Sequence, residues 1–428
     1  MKRVSLLIAV LCVSFSSVAF AQYSGWVPPR AEEGQKDGFS LSSSGLVLQP
    51  TLGAETGYVS NVFFAEESGL GAGVLRVIGG LRLATRQTNS SEFQGAATPV
   101  WKFTAGLRAS YREFLSTNSS ARGLRNLGLV ADLNLILFPQ GTFRFEVEDT
   151  FRRILRPRSF ETSQQLNRDI NNFRAGIIYQ PGGRAISAGL HYENVVDVFE
   201  DSEVAFANRL QHIGRLRLTW RFFPYSEVYL DGSLGFFTNF NDQTLDFNKS
   251  NSSPLRIQAG INTAITERLT VKLRGGYANG FYRTGANYSS PIGAVELGYR
   301  YSPVGRIGLG YHYEFRDSIQ ANFYREHRVQ LTLNQQLGRV LFTGRAGGHL
   351  RRYEEVQLVG GAPGVVREDQ ILFAEGQLRY ALLDWLEIYG RYNLAAVETD
   401  FRFQFIVGQL ENPSYVRHEA VLGATVSF

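Results

Sequence analysis

The chain ends Tyr415-Val416-Arg417-His418-Glu419-Ala420-Val421-Leu422-Gly423-Ala424-Thr425-Val426-Ser427-Phe428. Successive side chains of a strand point to opposite faces, so Val416, Ala420, Leu422, Ala424, Val426 and Phe428 share one face. Arg417, Glu419, Thr425 and Ser427 share the other. One face suits hydrocarbon and the other suits water.

Working outward, the same alternation recurs. Around Leu255, residues Leu255, Ile257, Ala259, Ile261 and Ile265 oppose Arg256, Gln258 and Asn262. Ile307, Leu309, Tyr311, Tyr313 and Phe315 oppose His312, Glu314 and Arg316, and Trp101, Phe103, Ala105, Leu107 and Tyr111 oppose Lys102, Thr104, Arg108 and Arg112. From residue 46 to 428 the pattern marks out about eighteen strand-length segments, or sixteen if one hairpin is miscounted. Short connections such as Pro139-Gln140-Gly141, Pro181-Gly182-Gly183, Pro224-Tyr225 and Gly338-Arg339 alternate with long polar ones such as Asn239 to Ser253 and Arg402 to Pro413. That asymmetry predicts an all-β chain folded as a transmembrane antiparallel up-and-down β-barrel, with tight periplasmic turns and longer extracellular loops. The connection at about Thr85 to Pro99 is the exception, a long one where a tight turn is expected.

The opening residues fit export through a membrane. Lys2 and Arg3 precede a mostly apolar stretch, Val4 to Val18, and Ala19-Phe20-Ala21 has the small-x-small pattern of a cleavage site. Residues 1–21 are therefore expected to be a cleaved signal peptide, 22–45 a periplasmic leader and 46–428 the barrel. The only cysteine, Cys12, lies in the expected signal peptide, which leaves a mature chain with neither disulfide nor thiolate metal site. Removing Lys2 and Arg3 takes the formal charge from +5 to +3, and no polybasic tail points to nucleic acid. Hydrophobic residues make up 44% of the chain, yet beyond Ala21 no apolar run is long enough for a membrane helix.

A barrel of this size is too wide to be filled by its own side chains. An arginine facing lipid at mid-depth costs about 2 to 4 kcal/mol, so the polar faces should line the lumen. By parity they carry Arg82, Arg108, Arg144, Arg174, Arg215, Arg217, Arg256, Arg274, Arg300, Arg345, Arg379, Arg391 and Arg417, interspersed with Glu146, Glu148, Glu193, Glu296, Glu314, Glu375 and Glu419. Two readings stand together: ion pairs that stiffen the wall, and guanidinium groups that bind carboxylate, phosphate or hydroxyl-rich solutes in transit. Trp101, Trp220, Phe222, Tyr299, Tyr301 and Tyr380 lie near strand ends, where interfacial girdles form. Most of the six histidines are expected on inward faces. They show no metal-ligand spacing, and no nucleophile motif stands out, so neither an enzyme nor a cofactor is expected.

With its terminal aromatic on the apolar face, the final strand resembles that of Gram-negative outer-membrane barrels, a resemblance that makes Phe428 an assembly signal. Pro50 to Phe64, containing Gly57-Tyr58-Val59-Ser60-Asn61-Val62-Phe63, is similar to the opening of an outer-membrane barrel porin family often encoded with capsule or exopolysaccharide export machinery. The resemblance implies a terminal exit for a secreted exopolysaccharide. A general or anion- or nutrient-selective diffusion porin is the alternative, and a structural or adhesive surface barrel comes third. The partners it implies are outer-membrane lipid and lipopolysaccharide, the barrel-assembly machinery and, for export, a separate periplasmic polysaccharide-export protein. Leader residues 22–45 are too few for a folded plug domain, which argues against a TonB-dependent receptor.

Overall fold

A computed structural model describes residues 38–41, 45–66, 69–85, 100–155, 167–182, 184–200, 202–240, 250–356, 365–399, 401, 403–406, 409–411 and 414–428. The expected signal peptide, most of the leader and the long connection after Thr85 lie outside them.

The strands are β1 (Phe39–Leu41), β2 (Leu46–Val59), β3 (Ala72–Thr85), β4 (Trp101–Leu115), β5 (Asn126–Leu137), β6 (Phe143–Ile154) and β7 (Arg168–Tyr179). They continue as β8 (Ile186–Phe199), β9 (Arg209–Phe223), β10 (Ser226–Asn239), β11 (Leu255–Ala264), β12 (Leu269–Asn279), β13 (Ser289–Ser302) and β14 (Gly305–Asp317). The last are β15 (Phe323–Leu337), β16 (Val340–Val356), β17 (Val365–Leu383), β18 (Leu386–Thr399), β19 (Phe403–Ile406), β20 (Gln409–Glu411) and β21 (Tyr415–Ser427). Each strand from β2 to β17 pairs antiparallel with its successor, β18 pairs with β21, and β21 returns to β2. The wall is thus a closed eighteen-stranded barrel, with the three-residue β1 appended alongside β2 and β19–β20 forming a separate hairpin in the last loop. Closure leaves no edge with unpaired backbone, which a hydrocarbon environment requires.

The seam is tight for a reason visible in the sequence. Gly57 faces Val421 across it, and a Cβ at Gly57 would lie 2.0 Å from the Ala420 carbonyl oxygen. Only glycine lets the two backbones approach so closely. Beyond β2, the Asn61 side-chain amide donates to the Val416 carbonyl (3.2 Å) and the Ala65 carbonyl (2.8 Å), while Val59 and Val62 are fully buried. The Gly57-to-Phe63 string therefore seals the barrel where its first and last strands meet.

Alternation sets the faces. Leu52, Leu190, Leu372 and Leu422 stand on the outer wall, Leu422 with 71% of its surface exposed, while Glu55, Arg76, Glu193 and Glu419 on the opposite parity are buried. An apolar exterior around a polar interior is the arrangement of a transmembrane barrel. Trp101, Trp220, Tyr299, Tyr301 and Tyr380 lie exposed at the turn end, joined by Phe143, Tyr179, Tyr225 and Trp385. Tyr58, Tyr111, Tyr192, Tyr277, Tyr311 and Tyr392 mark a second exposed level nearer the loops.

Two features depart from the sequence reading. Alternation read from residue 122 to 138 predicts one strand, yet β5 begins at Asn126, because a short helix, α1 (Ser119–Gly123), precedes it; the Asn118 side chain caps α1 by accepting from the Ala121 amide at 3.1 Å. Histidines expected mostly inward are divided evenly. His191, His312 and His349 have inward parity, whereas His212, His327 and His418 are outward, each hydrogen-bonded through Nδ1 to an outward tyrosine hydroxyl (Tyr192, 2.7 Å; Tyr311, 2.9 Å; Tyr392, 2.7 Å).

Candidate functional site

The candidate site is the lumen. All thirteen arginines expected there by parity occupy strand positions facing away from the exposed apolar belt. Many are paired with carboxylates on the same wall: Arg108 with Asp132 (3.4 Å), Arg144 with Glu146 (2.9 Å), Arg174 with Glu148 (3.7 Å) and Arg345 with Glu375 (2.6 Å). Others are held loosely. Arg215 and Arg217 approach Asp231 and Glu227 only to 3.9 Å, and the Arg217 guanidinium lies 4.0 Å from the Tyr229 ring centre. Arg300 stands exposed at the turn end, and Arg256 reaches the Phe315 carbonyl (2.7 Å).

Two denser stations lie nearer the loops, each built around arginines beyond the thirteen. At the seam, Arg76 bridges Glu55 and Glu419, the second at 2.7 Å. Arg391 also reaches Glu55 (3.0 Å), Arg417 reaches Glu419 (2.9 Å), and the Tyr389 hydroxyl donates to Glu55 (3.0 Å). Further along the same wall, on β12 and β14 to β16, Glu314 accepts from Arg274 and Arg316, while Glu326 takes Arg316 (3.2 Å), Arg351 (2.8 Å) and His349 (2.7 Å). Each station sets three guanidinium groups against two carboxylates, leaving an excess of positive charge in a confined space. Arg76 and Arg351 share the parity of their inward neighbours, so alternation alone could have identified them.

The loops narrow the outer mouth. Between β14 and β15, Ile319 packs against Phe199 at the end of β8 and against Ala207, while Asp317 forms an ion pair with Arg209 of β9. Four strands separate β9 from β14 in the wall, roughly 24 Å along it at the usual strand spacing, so these contacts cut across the mouth rather than follow the wall. The same loop reaches β17, where Arg367 donates to Gln320 (2.9 Å). Arg209 in turn holds Asp197 (3.0 Å), which Arg168 also engages (3.2 Å). On the seam side, Phe64 packs edge-on against Tyr415 at 4.9 Å with the Arg417 guanidinium 4.8 Å from its ring centre. These inward-folded loops were not legible from local polarity, because their partners lie on distant strands. Among the described residues no group of three or more histidine, cysteine or acidic side chains could hold a metal ion.

Closed wall, apolar exterior and charged interior define the class: an outer-membrane-type β-barrel with a porin-like lumen. Similar solved structures include the Pseudomonas aeruginosa channel OccK2 (OpdF) in complex with glucuronate, with 12% identity, a TM-score of 0.47, and coverage of 89% of this chain and 98% of that one. The outer-membrane protein OpdK of the same organism is similar at 10% identity and a TM-score of 0.45, over 89% and 99% of the two chains. The siderophore receptor PirA, also from Pseudomonas aeruginosa, is similar at 8% identity and a TM-score of 0.41, over 89% and 80%. No protein-family model and no curated protein matches the sequence.

Proposed function

We propose that the protein is an outer-membrane diffusion channel for small hydrophilic solutes, with a preference for anions. The observation that carries this reading is the combination of a mouth crossed by the Ile319 loop and a lumen wall with more guanidinium than carboxylate at its two densest stations. A narrow entry restricts the size of what passes, and pore-lining charge of one sign favours the opposite sign in transit. Carboxylate-bearing solutes suit arginine best, since the guanidinium fork matches a carboxylate bidentately. Glucuronate, present in the OccK2 complex, is a solute of that chemistry.

Exopolysaccharide export, implied by the similarity of Pro50 to Phe64, has no support from the comparisons. The loop contacts across the mouth are also a poor fit to a polymer exit. Planar-bilayer recording of the purified barrel tests the proposal: it should open ion channels whose reversal potential under a salt gradient favours the anion. A silent or cation-selective barrel would overturn it. Loss of surface polysaccharide in a deletion strain with unchanged uptake of small anions would instead favour export.

A further inference from the structure

We infer that Arg328 and His349 form a docking point in the lumen for the carboxylate of a passing solute, and that the carboxylate is taken up there together with a proton; the inference rests on the anion-conducting reading and gives it a place and a chemistry. Strand register puts Arg274, Ala294, His312, Arg328, His349 and Ile371 in one row across β12 to β17, each the direct cross-strand partner of the next. Their parity is inward, and the row contains no carboxylate. The row above carries Glu314 and Glu326, but all four of their oxygens are engaged: those of Glu314 by Arg274 and Arg316, those of Glu326 by Arg316, Arg351 and His349. Arg328 is therefore a fourth guanidinium against two carboxylates. It has no ion pair and no side-chain hydrogen bond among the described residues, and its Nε is buried without a partner. In the row below, Gly310 and Gly347 flank Gln330, so neither adjacent strand covers the Arg328 guanidinium from that side.

The proton has one place to go. An ionised carboxylate only accepts, so the 2.7 Å bond to Glu326 fixes the hydrogen of a neutral His349 on Nδ1. Its Nε2 is then a lone pair with no partner among the described residues. Direct cross-strand partners stand about 5 Å apart at Cβ, so the ring and the Arg328 guanidinium reach the same part of the lumen. Protonation turns Nε2 into a donor, and a carboxylate held in the Arg328 fork then gains a third charge-assisted hydrogen bond. His312, on the other flank of Arg328, is set the opposite way. Its Nδ1 accepts from Arg274 (3.4 Å), which leaves its hydrogen on Nε2, 3.7 Å from Glu296, and a second hydrogen would point at the Arg274 guanidinium. The charged groups packed around His349 are Glu326 and Arg328 on β15, Arg351 on its own strand and Asp369 on β17, whose oxygens Arg367 holds at 2.8 and 2.9 Å. With Glu326 shared among three cations, an arriving anion offsets the repulsion between Arg328 and the imidazolium. Anion and proton therefore reinforce each other, each tightening the binding of the other by the same factor.

The test uses the full barrel in detergent with isotope-labelled histidine, and follows the His349 imidazole by NMR through a pH titration in chloride and in acetate at equal ionic strength. His349→Asn, which keeps a donor at the Nδ1 position, identifies the signals. Acetate should raise the midpoint of the His349 titration by about one pH unit, a coupling of about tenfold between proton and anion. Arg328→Gln, which removes no ion pair, should erase the difference between the two salts. In His349→Asn, acetate binding, read from the width of the acetate methyl signal, should no longer vary between about pH 5 and pH 8. A midpoint that is the same in both salts, an acetate effect that survives Arg328→Gln, or pH-dependent acetate binding that persists in His349→Asn would overturn the docking point. Planar-bilayer selectivity separates it from the channel reading. An anion-selective barrel with no acetate effect loses the docking point alone, whereas an acetate effect in a silent or cation-selective barrel keeps the docking point and removes the conduction reading.

Discussion

Replacing Arg76 by methionine removes the guanidinium that bridges Glu55 and Glu419 across the barrel seam, yet the structure predicts that Glu55→Gln is the more damaging of the two changes. Both side chains are sealed from solvent, Arg76 at 2% exposure and Glu55 at 0%. Breaking a buried pair by deleting one member costs about 3 to 5 kcal/mol, chiefly for the charge left behind. After Arg76→Met that charge is still satisfied, since Glu55 keeps Arg391 (3.0 Å) and the Tyr389 hydroxyl (3.0 Å), and Glu419 keeps Arg417 (2.9 Å). The seam station becomes charge-balanced, so the loss should fall to about 2 to 3 kcal/mol, at or below the bottom of that range. Glu55→Gln leaves Arg76, Arg391 and Arg417 around Glu419 alone, with Arg391 only 3.9 Å from it, and should cost about 4 kcal/mol or more. Urea unfolding in detergent, followed by tryptophan fluorescence and by the migration of unheated samples on denaturing gels, measures both. The reasoning fails if Arg76→Met is the costlier change, or if both fall within about 0.5 kcal/mol of the parent, the scatter of an ordinary surface substitution.

Other outcomes follow from the same geometry. Replacing the loosely held Arg215 and Arg217 together by alanine should lower the anion-to-cation permeability ratio by about twofold at low salt and less at high salt, as expected for screened lumen charge; an unchanged reversal potential would remove these two from the solute path. Ile319→Gly, which releases the loop from Phe199 and Ala207, should raise single-channel conductance and admit larger solutes. Gly57→Val should block closure, because its Cβ would collide with the Ala420 carbonyl, and the variant should accumulate as unfolded or degraded chain. Deleting Phe428, which stacks on Trp385 (6.5 Å, 3°) and donates its amide to the Pro50 carbonyl (3.2 Å), should lower the amount assembled while leaving the selectivity of the assembled barrel unaltered.

The wall was legible in the sequence because strand parity is a local property. Tyr415 to Phe428 shows its two faces within fourteen residues, and the same test assigns each of the thirteen arginines without knowledge of any partner. Helix α1 was legible in principle too, since Asn118 before Ser119-Ser120-Ala121 is a capping pattern, but it is too short to compete with the alternation around it. What parity cannot supply is register. The Tyr192–His212, Tyr311–His327 and Tyr392–His418 bonds are diagonal contacts between neighbouring strands, and the Ile319–Phe199 contact joins the β14–β15 loop to the end of the distant strand β8. Such pairings depend on how far one strand slides past the next and on where a loop folds, quantities that no short window contains.

The seam also bears on how the barrel is made. Arg76 and Glu419 are 343 residues apart, so that pair cannot form until synthesis has delivered the final strand, and Glu55 and Arg391, 336 apart, pair across the position that the final strand fills. Contacts of such separation are slow, because the entropy of closing the chain is lost before they contribute. Until then an open sheet holds Arg76 and Glu55 at or near a bare edge, where a hydrocarbon surround penalises both the ions and the unpaired backbone. The nearly complete sheet is thus the least stable point on the route into the membrane. It is there, rather than at the first hairpins, that the rate of barrel closure is set.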